Sequence, residues 1–316
     1  MSFLANTTGA TTDADVAAGA SIRRHSRSFS FASRLLPAEK RVDVERLYAW
    51  CRWCDDGVDM APSTAAAAAF VERATDDLRF IADGHDPSAT ESQWLAGLVL
   101  RHDLSLAAAA ALLRGMQSDL TPAAGFHQDD LLRYCFQAAG AVGVLMCPIL
   151  GLHDRRFLPH AAALGMGMQL TNIARDVAED WQRSRCYLPI HWTDGLRPTG
   201  GPPTPSGVKK GVAKILDLAD GYYAAGEAGI DALDSDARLA VRAAARIYRA
   251  IGVKIRKRGC RVLDQRVRVS ALEKLWLFVC SVNAGGFMSP RPPLDDVVAG
   301  PLAVAEKLLL EHGVAL

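Results

Sequence analysis

Two acidic clusters in this chain have residue types and spacings that suit divalent-cation chemistry. The first is Asp55-Asp56-Gly57-Val58-Asp59, closing a helical stretch that starts near Val44. At about 3.6 residues per turn, Tyr48, Arg52, Asp55 and Asp59 fall on one face. The second is Asp176-Val177-Ala178-Glu179-Asp180, preceded by Gln169 and Asn172. Its spacing puts Gln169, Asn172, Asp176 and Asp180 on one polar stripe of a segment otherwise rich in Met, Leu and Ile. Hard oxygen ligands one turn apart suit Mg²⁺, which keeps several waters and takes one or two carboxylates together with phosphate oxygens of a substrate. Either cluster alone is ordinary, because carboxylates at i, i+4 decorate many solvated helix faces. The pair is more specific, since two such helices facing each other hold ions around a diphosphate. An EF-hand is excluded, because 55–59 lacks the alternating oxygen ligands and the closing Glu.

Basic groups accompany both clusters. Arg52, Arg175 and Arg185 are placed to neutralise phosphate oxygens through paired hydrogen bonds, with surface ion pairing as the plainer role. Near the start, His25-Ser26-Arg27-Ser28-Phe29 offers donors at a candidate helix start, where free backbone N–H groups attract anions; simple capping is the alternative. Phe29, Tyr48, Tyr134 and Phe136 present aromatic faces that attract a desolvated cation by about 1–2 kcal/mol, with core packing as the ordinary use of such residues.

These groups must be carried on helices. From Ile22 to Trp192 apolar residues recur at helical spacing in a background of Ala, Leu, Arg and Glu, which predicts an all-α protein. Alanine-rich runs at Ala65–Ala69 and Ala107–Ala111 read as close helix packing. Breakers at Pro37, Pro62, Asp83-Gly84, Pro122, Pro148, Pro159 and Pro189 mark helix ends. A Gly/Pro-rich stretch at 193–211 reads as a surface loop within one domain, since helical patterning lies on both sides and resumes at Val212. The expected organisation is a flexible tail at 1–20, a catalytic domain at 21–288, and a tail with a short helix at 289–316.

The chain has 316 residues, 50% hydrophobic and 22% charged, enough to bury a sizeable core. A net charge of +1 argues against nucleic acid as a partner. Seven cysteines without a secretory signal point to reduced thiols and a cytoplasmic location. Cys51-Arg52-Trp53-Cys54 has CxxC spacing but no second pair, so these read as helix thiols. The apolar run 275–279 is far shorter than the roughly 20 residues that cross a bilayer. The basic run Lys254, Arg256, Lys257, Arg258 and Arg261 reads either as a solvated helix end or as an attractor for an anionic membrane surface.

Longer motifs carry a family resemblance. Ser26-Arg27-Ser28-Phe29-Ser30-Phe31-Ala32-Ser33-Arg34-Leu35-Leu36-Pro37, with Leu47-Tyr48-Ala49-Trp50-Cys51-Arg52 and Asp55-Asp56, resembles the amino-terminal signature of squalene and phytoene synthases. The run from Gln169 to Asp180, followed by Arg185-Cys186-Tyr187-Leu188-Pro189, resembles the second signature. Tyr134 through Gly143 is similar to the family's tyrosine-bearing helix, and Tyr248–Gly252 through Asp264–Val267 to the carboxy-terminal region of bacterial phytoene synthases. The likeness spans about residues 22–280. One departure is Gly115-Met116-Gln117-Ser118-Asp119-Leu120, where many members carry Gly-Met-Glu-Met-Asp-Leu.

The resemblance implies an isoprenoid-synthase helical bundle around a central cavity, with the two aspartate-bearing helices facing across it. It assigns Mg²⁺, with Mn²⁺ as an alternative, to Asp55, Asp59, Asn172, Asp176 and Asp180. It assigns diphosphate contacts to His25, Arg27, Ser28, Arg52, Gln169, Arg175, Arg185, Tyr248 and Arg266, with Phe29 beside them, and puts Tyr134 against the reacting carbons. The implied reaction joins two geranylgeranyl diphosphates head to head into phytoene without NADPH. A C30 synthase using farnesyl diphosphate and a non-catalytic lipid-binding or assembly relative are the competing readings.

Overall fold

A computed structural model of the chain describes residues 27–120, 126–197, 201–282 and 294–316. Among them there is no strand, only an isolated bridge between Phe126 and Pro189. Helices α1 (Arg27–Ser33), α2 (Ala38–Asp59), α3 (Thr64–Ala82), α4 (Thr90–His102) and α5 (Leu106–Ser118) lead into a continuous helical run. That run comprises α6 (Gln128–Cys135), a π-helical turn (Phe136–Gly140) and α7 (Ala141–Ile149). Then come α8 (Leu158–Gln182), α9 (Pro205–Glu227), α10 (Ser235–Lys257), α11 (Ala271–Val282) and α12 (Leu294–Glu311).

Helix α2 shows how the pattern becomes structure. Val44, Leu47, Trp50, Cys51, Cys54 and Val58 are buried at steps of one to four residues, leaving the acidic face to one side. Ser63 caps α3 and Ser105 caps α5, each hydroxyl accepting from a backbone N–H at 3.2 Å. Helix α8 is the central element, and it packs against the π-turn, α7 and α9 by close backbone approach. A Cβ added at Gly165 would run into the carbonyl of Ala139, and one at Gly143 would lie 2.5 Å from the carbonyl of Ala161. Of the two alanine-rich runs, 107–111 is a packing surface, with Ala108, Ala109 and Ala111 buried; in 65–69 only Ala67 is.

Three expectations are revised. Helix α9 begins at Pro205 rather than Val212, because proline needs no N–H partner in a first helical turn. The last stretch holds an 18-residue helix rather than a short one. It buries Ala305, Leu308 and Leu309, and so belongs to the core rather than to a tail. Third, Pro148 does not end its helix but sits inside the last turn of α7. Apart from these, Gln128–Ile149 is long and apolar enough by length and composition to cross a membrane, yet 67% of its apolar window is buried inside the protein. The tail at 1–20 lies outside the described residues.

Cys51, Cys54, Cys135, Cys147, Cys186 and Cys260 are free thiols, and burial pushes the Cys51 thiol up to about 12, so the CxxC pair is inert packing. In the basic run, Lys254 binds Glu273 at 2.8 Å and Arg256 binds Asp217 and Asp220 at 2.9 Å each. Lys257, Arg258 and Arg261 stay exposed.

Candidate active site

A cavity of about 950 Å³ runs between α2, α5, the α6–π–α7 run, α8 and α10. Following α8 from its carboxy-terminal end, its lining passes from Asp180, Glu179 and Asp176 through Asn172 and Gln169 to Met168, Leu164, Ala161 and Phe157. One end is therefore charged and the rest mainly apolar, with His160 beside Phe157 and Ala161. Helix α2 contributes Asp59, Asp55, Arg52, Tyr48 and Val44 in the same order. The two polar stripes expected from spacing thus line one cavity.

Asp55, Asp59, Asp176 and Glu179 at the charged end are held by guanidinium groups. Arg52 binds Asp55 at 2.6 Å and also binds Asp56, which brings the off-face carboxylate into the same pair. Asp59 receives Arg185 at 2.7 Å and also Arg183. Asp176 accepts Arg175 through two bonds of 2.7 and 2.5 Å, and Arg266 through contacts of 2.9 and 3.0 Å. Arg266 also reaches Glu179 at 3.1 Å. Two-pronged geometry of this kind is what guanidinium offers phosphate as well as carboxylate. Tyr248 lines the cavity within electrostatic reach of Tyr48 and Arg175.

Burial pushes the Asp55 carboxyl up to about 6, with Arg52 working against it. Burial and then the charge of Asp176 push Asp180 up to about 7. Among the described residues the Asp180 carboxylate accepts no hydrogen bond, while Asn172 donates to Gln169 at 3.2 Å and leaves its Oδ1 buried without a partner. No three His, Cys, Asp or Glu side chains among the described residues converge with ion-holding geometry. A carboxylate crowded toward neutrality and an orphaned amide oxygen on one stripe are nevertheless what a hard cation relieves, so the donor set fits Mg²⁺.

A second group of oxygens lies in the cavity wall. Tyr187 donates to Asp119 at 2.7 Å, and Tyr134 donates toward Asp119 and Tyr187 at 3.1 Å each. Asp119 and Tyr187 line the cavity with Tyr134, whereas Gln117 is exposed. The missing carboxylate at 117 is therefore a surface change. Of the amino-terminal candidates, His25 lies outside the described residues; Arg27, Ser28 and Phe29 start α1, their side chains outside the description.

The model of the squalene/phytoene synthase family matches residues 22–273. The chain belongs to that family. A 15-cis-phytoene synthase from Paracoccus sp. is 37% identical over 81% of this chain and 86% of its own length. One from Pantoea ananas is 34% identical over 81% and 87%. Among solved structures, a dehydrosqualene synthase superposes with a TM-score of 0.77 at 26% identity, covering 86% of this chain and 96% of that one. A squalene synthase from Alicyclobacillus acidocaldarius gives 0.68 at 22% identity over 78% and 94%, a likeness of fold.

Within this family member, residue spacing missed Asp119, Glu179, Arg183 and Tyr187 as parts of the site. Asp119 and Tyr187 sit inside the runs Gly115–Leu120 and Arg185–Pro189, where the motif itself was the signal. Arg183 carried none, since it lies one residue past the end of α8.

Proposed function

We propose that this chain condenses two molecules of geranylgeranyl diphosphate head to head into phytoene through a cyclopropylcarbinyl diphosphate. The observation that carries the reading is one cavity with carboxylates and guanidiniums at one end and a mainly apolar wall along the rest, a place for diphosphates and a place for prenyl chains. Similarity to 15-cis-phytoene synthases over 81% of the chain supports the same reading.

Arg52, Arg175, Arg183, Arg185 and Arg266 bind diphosphate oxygens in this scheme, with Gln169, Tyr248 and the amino-terminal His25, Arg27, Ser28 and Phe29. Asp55, Asp59, Asn172, Asp176 and Asp180 would hold Mg²⁺, or Mn²⁺ in its place. When bound, the metal supplies Lewis-acid stabilisation to the departing diphosphate. The wall of Leu112, Val142, Met146, Leu164 and Met168 keeps water from the allylic cation that is left. Tyr134 faces the reacting carbons. The two halves of the reaction release two diphosphates and two protons in all and consume no reductant, so NADPH is not required.

The test is incubation of purified protein with Mg²⁺ and either the C15 or the C20 diphosphate, with and without NADPH, followed by product identification. Phytoene from the C20 substrate is expected; a C30 product from C15 with none from C20 would overturn it. The C30 reading draws on the dehydrosqualene synthase likeness. Peripheral contact with an anionic bilayer is part of the proposal, supported by the exposed Lys257, Arg258 and Arg261. Flotation with anionic but not neutral vesicles checks it.

A further inference from the structure

Asp119 closes α5 at its C-cap, Tyr134 stands in the last turn of α6, and Tyr187 lies in the loop after α8. That loop is tied to Phe126, whose carbonyl accepts from the Ile190 N–H at 3.0 Å. The Tyr134 and Tyr187 rings stack with centroids 4.4 Å apart, and Phe126 meets both edge-on at 6.3 and 5.5 Å. Three separate elements thus meet in one packed cluster, and its polar atoms face one another.

The protons in this cluster can be counted. Each phenol has one, and a carboxylate has none. Tyr187 commits its proton to Asp119 at 2.7 Å. Among the described residues Tyr134 has only Asp119 and Tyr187 as acceptors, both at 3.1 Å and both in the wall. The Tyr134 proton is therefore directed into the wall, and no group among the described residues donates to its oxygen. That oxygen keeps lone-pair capacity on a residue that lines the cavity, and the carboxylate behind it polarises it further. Burial and the neighbouring phenol and carboxylate raise the Tyr134 phenol well above its ordinary range, so the proton stays on oxygen.

We infer that Asp119 and Tyr187 are positioning residues for the reaction. They hold the Tyr134 hydroxyl so that it presents its oxygen lone pair, rather than its proton, to cationic carbon in the cavity. The inference rests on the reading of the site as one that makes prenyl cations. A phenol turned the other way would direct the positive end of its O–H dipole at the cation. Asp119→Asn introduces that fault, because an amide has one acceptor oxygen and a donor NH₂, and two phenols then compete for one acceptor.

The experiment is a double-mutant cycle, using whichever of the C15 and C20 diphosphates the wild type turns over, so that failure of the substrate assignment leaves this inference testable. Asp119→Asn is expected to lower kcat at least tenfold with KM within about twofold, and Tyr187→Phe to lower kcat severalfold. In a Tyr134→Phe background neither substitution should lower kcat further, because both act through that hydroxyl. A role in folding alone would lower the melting temperature equally in both backgrounds and leave the kinetic losses additive. Additive losses, or a well-folded Asp119→Asn variant with wild-type kcat, would overturn the inference. Should Asp119→Asn fail to fold, the cycle with Tyr187→Phe decides alone, since that change deletes one hydroxyl from the packed cluster.

Discussion

Arg185 Nη1 stands 2.7 Å from Asp59 Oδ1, so a residue just past α8 is bound to the last residue of α2. This contact ties the two acidic helices together at the charged end of the cavity. Burial alone would lower the Arg185 guanidinium pKa, but the nearby carboxylates of Asp119 and Asp59 outweigh it and raise the value, so the group stays cationic.

A lysine cannot reproduce that contact, because an ammonium is a point charge without the planar fork. Arg185→Lys is expected to lower kcat/KM for the prenyl diphosphate by about tenfold to a hundredfold, the size of losing hydrogen bonds of about 1.5–3 kcal/mol to a charged group. Helical circular dichroism should be unchanged. Steady-state kinetics on the variant decide it, and a value within twofold of wild type would remove Arg185 from the diphosphate site.

Neutralising one carboxylate on each stripe tests the cation assignment. Asp55→Asn and Asp176→Asn are expected to reduce turnover by at least about a hundredfold while leaving helicity intact. Wild-type activity should vanish with a chelator and return with Mg²⁺ or Mn²⁺. Because a cation that binds only the folded state raises its melting temperature, Mg²⁺ should stabilise the wild type and do so less in either variant. Near-normal rates in both variants would refute the two-stripe mechanism.

The stripes were legible because helical spacing alone puts Asp55 with Asp59, and Asn172 with Asp176 and Asp180, whatever the rest of the fold does. That they line one cavity was legible only through the longer motifs. Asp119 and Tyr187 escaped a spacing argument because they reach the site from a helix cap and a loop, and loops have no period. The guanidinium pairing escaped for a related reason: Arg266 meets Asp176 from 90 residues away. Helix α12 was underestimated because Gly300 and Pro301 interrupt its pattern, although Leu308 and Leu309 still turn inward.

Close backbone approach around α8 makes a stability prediction. Gly165→Ala forces a methyl against the Ala139 carbonyl, which is backbone and cannot rotate away. Overpacking of this kind destabilises by about 1–3 kcal/mol, and the melting temperature should fall by several degrees. Gly97→Ala in α4 is the contrast, since its methyl would meet only the flexible end of Arg101 at 3.5 Å. That change should be neutral or stabilising by up to about 1 kcal/mol, because alanine is the better helix former. Equal effects of the two substitutions in thermal melts would contradict the packing seen around α8.

His312, just past α12, joins that helix to the π-turn. Its Nε2 lies 3.0 Å from Gln137 Nε2, its Nδ1 lies 2.8 Å from the Leu308 carbonyl, and its ring packs 4.9 Å from Phe136. Burial lowers its pKa below the ordinary imidazole value, and the Leu308 bond offsets this only in part. The folded state therefore binds fewer protons than the unfolded state in the window from the ordinary value near 6.5 down to the lowered one. Stability is complete above that window and is lost as pH falls through it, by up to about 1.4 kcal/mol per pH unit. His312→Gln keeps an amide able to hydrogen-bond without titrating, so it should melt at nearly the same temperature as wild type at pH 7.5 and lose less on acidification to pH 5. Parallel melting curves across that range check the sign, and equal losses in the two proteins would assign the acid sensitivity to other groups.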